Sequence, residues 1–209
     1  MTDVQKTLAF ATPVISVILD HGPAFNATLA RIIRARRDVS DGIKRSNKGG
    51  WHSDTQLLHW AGEAVAPVIR RMVELADQHI IDTQALPGER RGWLLEAWAN
   101  INPPGCGNAA HVHGGSFWSG VYYVAVPSGE GGELTLEDPR SPMIEMHSPL
   151  LQFRDCGGER IIRIKPVESQ LLLFPAWLRH AVEPWYGNDE EGGERISIAV
   201  NLTAPPLKR

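Results

Sequence analysis

The chain has 209 residues, of which 43% are hydrophobic and 22% charged, so it can form a globular protein with a sizeable core. The formal net charge of −3 excludes the strongly basic balance of nucleic-acid-binding domains, and nucleic acid is therefore not indicated as a partner. No apolar run approaches the roughly 18 residues that a membrane-spanning helix needs. Two cysteines without a CxxC pair favour a reducing compartment, which predicts a cytoplasmic protein.

The first elements of the chain are predicted to be an edge strand and a helix. The apolar stretch 8–19 is interrupted by Pro13, and proline cannot donate to a sheet ladder, so we expect an edge strand or two short pieces. A helix is expected after Gly22-Pro23, with apolar residues at helical spacing. The basic run 31–37 then forms its solvated end.

A second helical region is predicted after a polar, turn-rich segment at 46–53. Asp54 is expected to cap this region, which extends over about 55–81. Pro67 lies inside it and is expected to split or kink the helix, because proline removes an internal hydrogen bond. Residues 1–92 are thus predicted to be a mainly helical support.

The remainder of the chain is predicted to be a sheet structure. Short β-rich runs follow one another without intervening helices, a pattern that is typical of an antiparallel sandwich or barrel. We therefore expect a single α+β, mainly β domain over 1–209, in which the N-terminal helices brace a jelly-roll core at 93–204. The predicted strands lie near 93–102, 108–113, 119–126, 132–137, 160–165, 169–174, 178–183 and 194–202.

Three histidines are the candidate metal ligands. His111 and His113 lie one residue apart on a predicted strand, and such residues share a face because side chains alternate. His180 follows a buried apolar strand and is the natural third ligand. Iron, zinc and manganese all accept imidazole, so the ligand type alone does not select the metal.

Arg195 and Ser197 are the candidate anion-binding residues. They share a face of the last strand, by the same alternation. A guanidinium inside a sheet needs an anionic partner, and its planar fork fits a carboxylate. Together with the serine hydroxyl, it would suit the far carboxylate of a small dicarboxylic acid. Asn100, Asn102 and Asn108 are interpreted as turn or strand-end residues.

From about Trp98 to Leu202 the chain resembles the Fe(II)/2-oxoglutarate-dependent oxygenases. The order of its motifs is most similar to the prolyl-hydroxylase branch, and the chain also resembles an uncharacterised bacterial group of oxygenases with a Ser-Asn-x-Gly-Gly-Trp segment. The motifs that carry the likeness are His111-Val112-His113, Gly120-Val121-Tyr122-Tyr123-Val124, Gly131-Gly132-Glu133-Leu134, the apolar strand from Leu171 to His180, and Arg195 with Ser197.

The resemblance implies a fold, two cofactors and a reaction. The expected core is a double-stranded β-helix, the family's form of the jelly roll. The implied cofactors are Fe(II) and 2-oxoglutarate, and with O2 they would hydroxylate an unknown substrate with release of succinate and CO2. By the same resemblance Tyr123 would bind the 2-oxoglutarate carboxylate beside Arg195 and Ser197.

His113 departs from the family's pattern, which has a carboxylate at that position. One interpretation is a three-histidine site of His111, His113 and His180, and we favour it because the first pair already shares a face. A second is that a carboxylate completes the metal shell. A third is that metal and activity have been lost. The candidate carboxylates of the second interpretation are Glu133, Glu137 and Asp138.

Two other classes of function compete with the oxygenase. One is a three-histidine, cupin-like metalloenzyme that does not use 2-oxoglutarate, which would have no need for Arg195 and Ser197 beside the metal. The other is a non-catalytic jelly-roll binding module. The sequence leaves the substrate and the oligomeric state open, a homodimer included.

Overall fold

The structure is a computed structural model that describes residues 5–83, 85, 92–146, 150–151, 154, 159–187 and 193–206. Its helical elements precede most of the sheet, as the sequence predicts. None of the described helices has the length and apolarity that crossing a bilayer requires. The helices are α1 (Pro23–Asp38), α2 (Leu57–Ala61), α3 (Ala66–Gln78) and the short α4 (Met143–Met146), and a 3-10 turn at Gly62–Ala64 separates α2 from α3.

The strands form two main antiparallel sheets. The larger sheet has the order β1-β10-β6-β13-β4-β3, the smaller one β2-β5-β11-β8-β9, and β7 pairs with β12. The strands are β1 (Ile15–Ile18), β2 (Asn47–Lys48), β3 (Trp51–His52), β4 (Leu94–Asn102), β5 (Gly107–His111), β6 (Trp118–Ala125), β7 (Glu130–Gly131), β8 (Leu134–Glu137), β9 (Ile161–Ile164), β10 (Gln170–Pro175), β11 (His180–Val182), β12 (Trp185–Tyr186) and β13 (Arg195–Thr203).

The helices brace the outer face of the larger sheet. Leu29 and Ile33 of α1 and Met72 of α3 are almost fully buried in one apolar cluster with alternate residues of β4, β6, β10 and β13. Gly120 on β6 permits this packing, since a Cβ at that position would overlap the Met72 sulfur. This arrangement confirms the predicted mainly β fold with N-terminal helical support.

The inner face of the larger sheet is buried as well. Ala97, Ala99 and Ile101 of β4 face the helices, whereas Trp98 and Asn100 point the other way into a cavity that β5, β8 and β11 also line. Strands buried on both faces lose the polar alternation that would mark their orientation from sequence. The candidate functional residues lie in this cavity between the two sheets.

The predicted strands are confirmed within a few residues at each end, with one exception that concerns the site. The strand expected at 108–113 ends at His111, so His113 lies in the following turn. Pairing was not predicted for β2 and β3, which lie in the turn-rich segment 46–53, nor for β7 and β12. These four strands have two residues each and carry no periodicity that could identify them.

The helical predictions need three corrections. The second helical region begins at Leu57, and Asp54 accepts the backbone N–H of Gln56 and the indole N–H of Trp60 outside the helix. The break falls at the 3-10 turn, and Pro67 stands in the first turn of α3, where its missing N–H costs no helical bond. The basic end of α1 is also less solvated than expected. Its arginines form ion pairs: Arg34 and Arg37 with Glu194, and Arg36 with Asp54.

Candidate active site

Strand pairing brings His111 and His180 together. His111 is the last residue of β5 and His180 the first of β11, and the antiparallel register places them directly opposite each other. Their ring centroids are 4.4 Å apart. Neighbouring side chains on one face of a sheet have this spacing, so the pair follows from the register alone.

His113 reaches the same point by a different route. It lies beyond the end of β5, and the alternation of a strand therefore does not orient it. Its backbone N–H instead donates to the carbonyl of Ala176 at 2.9 Å, which holds the turn against the loop before His180. The His113 ring lies 4.9 Å from that of His111 and 5.1 Å from that of His180, between centroids. The expected meeting of the three histidines is thus observed, although the reason given for His113 was wrong.

The three imidazoles form a group that could hold a metal ion. One nitrogen from each ring lies within 4.8 Å of the others. Among the described residues, no carboxylate belongs to this group. Glu137 is instead paired with Arg179 at 3.0 Å, and Asp138 with Arg140 at 2.6 Å.

The electrostatics of the cluster keep two of its rings neutral. Burial, followed by the neighbouring His180 and His111, lowers the pKa of His113 to about 3. Burial also lowers the pKa of His180 to about 4, against a hydrogen bond to the Leu178 carbonyl that raises it. A neutral imidazole has a nitrogen lone pair, which is the form that binds a metal.

Backbone hydrogen bonds set which nitrogen is available in two of the rings. The Nδ1–H of His111 donates to the Ala109 carbonyl at 2.6 Å, and the Nδ1–H of His180 donates to the Leu178 carbonyl at 2.8 Å. A carbonyl can only accept, so the proton is on Nδ1 and the lone pair on Nε2. Histidine ligands in metal sites are commonly oriented in this way.

Arg195 enters the same cavity from the other sheet. It is 4% exposed, and its Nη1 donates to the carbonyl of Gly132 at 2.7 Å. Gly132 has a φ of +75°, and a Cβ there would approach Trp185 Cβ to 2.9 Å, so this carbonyl position requires glycine. The Nε of Arg195 is buried without a hydrogen-bond partner, and no ion pair among the described residues includes this guanidinium.

Ser197 and Tyr123 lie beside Arg195. The two residues are paired in register across β13 and β6, and both line the cavity. Burial raises the pKa of Tyr123 to about 12, while the nearby Arg195 lowers it. The neighbouring Tyr122 points to the helices, where its hydroxyl donates to Asn26 Oδ1 at 2.7 Å. The cavity therefore brings three imidazoles together with the Arg195 guanidinium and the hydroxyl groups of Ser197 and Tyr123.

A protein-family comparison identifies the class of this site. The model of the family described as "Putative 2OG-Fe(II) oxygenase" matches residues 96–201, which is half of the chain and includes every candidate residue. The chain belongs to this family. It is therefore a 2-oxoglutarate-dependent oxygenase, an oxidoreductase class that uses Fe(II) and 2-oxoglutarate. No curated protein matches the sequence.

Solved structures show that the fold is that of the oxygenases. A Pseudomonas putida prolyl-4-hydroxylase is 17% identical, with a TM-score of 0.61 over 93% of this chain and 94% of that one. HygX from Streptomyces hygroscopicus, with nickel and 2-oxoglutarate bound, is 14% identical, with a TM-score of 0.60 over 94% and 85%. The collagen prolyl hydroxylase of Paramecium Bursaria Chlorella virus-1 is 15% identical, with a TM-score of 0.55 over 92% and 96%.

The described residues fit both groups that this oxygenase family uses. The imidazole cluster offers neutral nitrogen donors, which suit divalent iron. Arg195, buried with an unpartnered Nε, lacks the anion that a buried guanidinium needs, and a carboxylate of 2-oxoglutarate could supply it. Both halves of the site line one narrow cavity of about 60 Å³, so they can act on one bound molecule.

The sequence interpretation missed one residue that lines the oxygenase cavity and two that contact its candidate residues. Asn100 was taken for a strand-end residue, but it lies within β4, is 8% exposed and lines the cavity. Asn201 lies on the face of β13 that carries Arg195 and Ser197, and it contacts His113. Strand alternation could have found Asn201. The contact of Gly132 with Arg195 depends on a turn far away in the sequence, which no local pattern indicates.

Proposed function

We propose that His111, His113 and His180 together hold Fe(II). The support is the convergence of three imidazoles, two of which have a lowered pKa and two of which direct Nδ1–H to a backbone carbonyl. The usual triad of non-haem iron oxygenases has one carboxylate. A shell of three neutral ligands leaves both positive charges on the metal, which an anionic co-substrate can neutralise.

We further propose that Arg195, Ser197 and Tyr123 bind the distal carboxylate of 2-oxoglutarate. Arg195 would supply the charge and, through its unpartnered Nε, a donor. Ser197 and Tyr123 would each donate a hydroxyl hydrogen, and the raised pKa of Tyr123 keeps its proton in place. The single observation that carries the proposal is this buried guanidinium, without a carboxylate partner among the described residues, in the cavity of the three histidines.

The proposed reaction is hydroxylation of a substrate that remains to be identified. When bound, Fe(II) and 2-oxoglutarate supply the O2 activation that yields succinate, CO2 and an oxidised substrate. The chain's own residues orient the co-substrate and exclude water. Trp98 lies beside His113 and Phe174 beside His180, at ring centroid distances of 5.6 Å and 4.9 Å, and both give the site an apolar wall. A dry, enclosed site protects reactive intermediates from side reactions.

An anaerobic titration tests this function. Purified protein reconstituted with Fe(II) is titrated with 2-oxoglutarate, and the visible charge-transfer band of the chelated keto acid is followed. We expect a saturable band, which succinate should not produce because it lacks the keto group. Iron binding without the band would favour a cupin-like enzyme that does not use 2-oxoglutarate. A failure to bind iron, zinc or manganese would favour a binding module.

We also propose a domain organisation and a cellular location for the enzyme. We propose that 1–209 acts as one domain, because residues of the helical support and of the jelly-roll core share one apolar cluster. A cytoplasmic location is proposed from the two cysteines and the absence of a CxxC pair. Size-exclusion chromatography with light scattering would decide between a monomer and a homodimer.

A further inference from the structure

Asn201 is buried between a candidate metal ligand and a carboxylate. It lies on β13 opposite Glu96 of β4 and Ser119 of β6, and it is 5% exposed. Its Nδ2 donates to Glu96 Oε2 at 3.4 Å and lies 3.3 Å from His113 Nδ1. Its Oδ1 accepts from Ser119 Oγ at 3.2 Å. The amide thus connects the His113 ring to Glu96.

This contact makes His113 different from the other two histidines. The Nδ1 atoms of His111 and His180 face backbone carbonyls, which fixes their protons on Nδ1. The Nδ1 of His113 faces an amide NH2 group, which can only donate. In this arrangement Nδ1 is the acceptor and the single proton of the neutral ring is on Nε2. The nitrogen on the far side from Asn201 then has no lone pair to offer.

A half-turn of the Asn201 amide would move the proton of the His113 ring from Nε2 to Nδ1. Its carbonyl oxygen would then accept a hydrogen from His113 Nδ1, which would leave the lone pair on Nε2. Its NH2 group would donate to Ser119 Oγ, which can accept as well as donate. Glu96 opposes the half-turn, because its carboxylate would lose a donor and face the amide oxygen. Glu96 also forms an ion pair with Arg45 at 3.8 Å, which is weak because both side chains are exposed.

We propose that Asn201 is a positioning residue that sets the tautomer of His113, and that Glu96 holds Asn201 in the orientation that opposes metal binding. The inference rests on the proposed role of His113 as a ligand. Asn201 and Glu96 would then alter the metal affinity although neither residue binds the metal. The partners of metal-bound histidines typically alter affinity by about 10- to 100-fold.

Zinc affinity, measured by competition with a chelator, tests the direction of each effect. Glu96→Gln removes the carboxylate that opposes the half-turn and should tighten zinc binding by about tenfold. Adding Asn201→Leu to Glu96→Gln removes the acceptor for Nδ1–H and should reverse that gain. Asn201→Asp combined with Glu96→Gln supplies an acceptor without opposition and should tighten binding by about tenfold. Thr203→Val is the control: it lies on the same strand and removes a hydroxyl contact with Ser116, and it should leave the affinity unchanged. Equal affinities in all of these proteins, or a Glu96→Gln, Asn201→Leu double variant that binds zinc as tightly as Glu96→Gln alone, would overturn the proposal.

The His113→Ala background separates positioning from general damage. There the addition of Asn201→Leu to Glu96→Gln should cause no loss of zinc affinity, whereas an equal loss in both backgrounds would show that Asn201 acts on the fold. If Asn201→Leu does not fold, the isosteric Asn201→Asp, Glu96→Gln pair decides in the same two backgrounds. A wild-type protein that binds no metal at all would instead sink the proposed function.

Nitrogen-15 NMR of the imidazoles gives a direct readout that does not depend on activity. In the metal-free protein His113 should carry its proton on Nε2, and in the zinc-loaded protein on Nδ1. His111 and His180 should carry theirs on Nδ1 in both states. A His113 that is protonated on Nδ1 before zinc is added would contradict the role of Glu96.

Discussion

His113 is the residue on which the chemistry of this oxygenase depends most. It occupies the position where the family's pattern has a carboxylate, and among the described residues no carboxylate belongs to the metal-binding group. Its lowered pKa keeps the ring neutral well below neutral pH. In the proposed metal site the chain replaces an anionic donor by a neutral one, and the balance of charge at the metal shifts to the co-substrate.

Substitution of His113 tests its role as a ligand. We expect His113→Ala to lower Fe(II) affinity about as much as His111→Ala, at least about tenfold, because either variant leaves two ligands. His113→Asp restores the two-histidine, one-carboxylate triad and should retain the metal. The measurement is anaerobic iron titration of folded protein. Full iron occupancy in His113→Ala would assign the third position to another group.

Arg195→Ala tests the co-substrate site separately from the metal. Loss of a buried, charge-assisted hydrogen-bonding group should weaken 2-oxoglutarate binding by about 10- to 100-fold while iron affinity stays within about twofold. The matched control is Arg163→Ala, which removes an exposed guanidinium paired with Glu183. Parallel loss of iron and 2-oxoglutarate in Arg195→Ala would mean that this arginine supports the fold.

At this scale the sequence predicts the residues that are recognisable by type and order. The order of the motifs identifies four of the candidate residues without a structure, namely His111, His180, Arg195 and Ser197. Strand alternation places Asn201 on the face of Arg195 and Ser197, but its contact with His113 and that of Gly132 with Arg195 cross strands and turns that no local pattern indicates. The position of His113 was predicted, but the turn that orients it depends on a hydrogen bond to Ala176.

Among the elements, β13 connects the core to the active site. It runs between β4 and β6 in the larger sheet. One set of alternate residues, from Ile196 to Leu202, is buried against the helices. The other set places Arg195 and Ser197 in the cavity and Asn201 against His113. A rigid central strand holds these polar groups at fixed spacing, which favours a site organised before its ligands bind.

Gly120 on β6 tests the packing between sheet and helix. Gly120→Ala should destabilise the protein by about 1–3 kcal/mol, because the new Cβ would overlap the Met72 sulfur in a filled core. Urea unfolding measures the change. The control is Gly114→Ala, where a Cβ would meet nothing within 4 Å. Equal stability of Gly120→Ala and wild type would show that the Met72 side chain is not held against β6 as described.

The elements that sequence predicted well are those with strong apolar patterns. The eight predicted strands and the first helix carry enough residues to show a period. The predicted start of the second helical region was wrong. The Asp54 carboxylate accepts hydrogen bonds from the Gln56 backbone, the Trp60 indole and the Arg36 guanidinium, and it does not cap the helix. A polar residue before an apolar run is a capping signal only when the helix begins there, and tertiary contacts override it here.

For the whole molecule, the jelly roll explains why the site can be buried and still polar. The helices cover the outer face of one sheet, and the two sheets enclose the cavity. Enclosure in this interior lowers the pKa of three histidines, namely His52, His113 and His180. Desolvation by burial is the largest cause in each case.

This burial predicts how stability depends on pH. Because these histidines have a lower pKa in the folded state than the usual 6.5 or so of an unfolded chain, the unfolded state binds more protons below that pH. The free energy of unfolding of the metal-free protein should therefore fall as the pH is lowered from about 6.5 toward 4. Urea midpoints at a series of pH values measure it. A variant without His113 and His180 should show a shallower fall, and an equal slope would contradict the assignment.

The most direct test is a crystal structure of the anaerobic protein with Fe(II) and 2-oxoglutarate. We predict an iron ion bound by His111, His113 and His180, with the keto-acid end of 2-oxoglutarate on the metal. Its distal carboxylate should lie against Arg195, Ser197 and Tyr123. A carboxylate side chain in place of His113, or a co-substrate bound away from Arg195, would contradict the account.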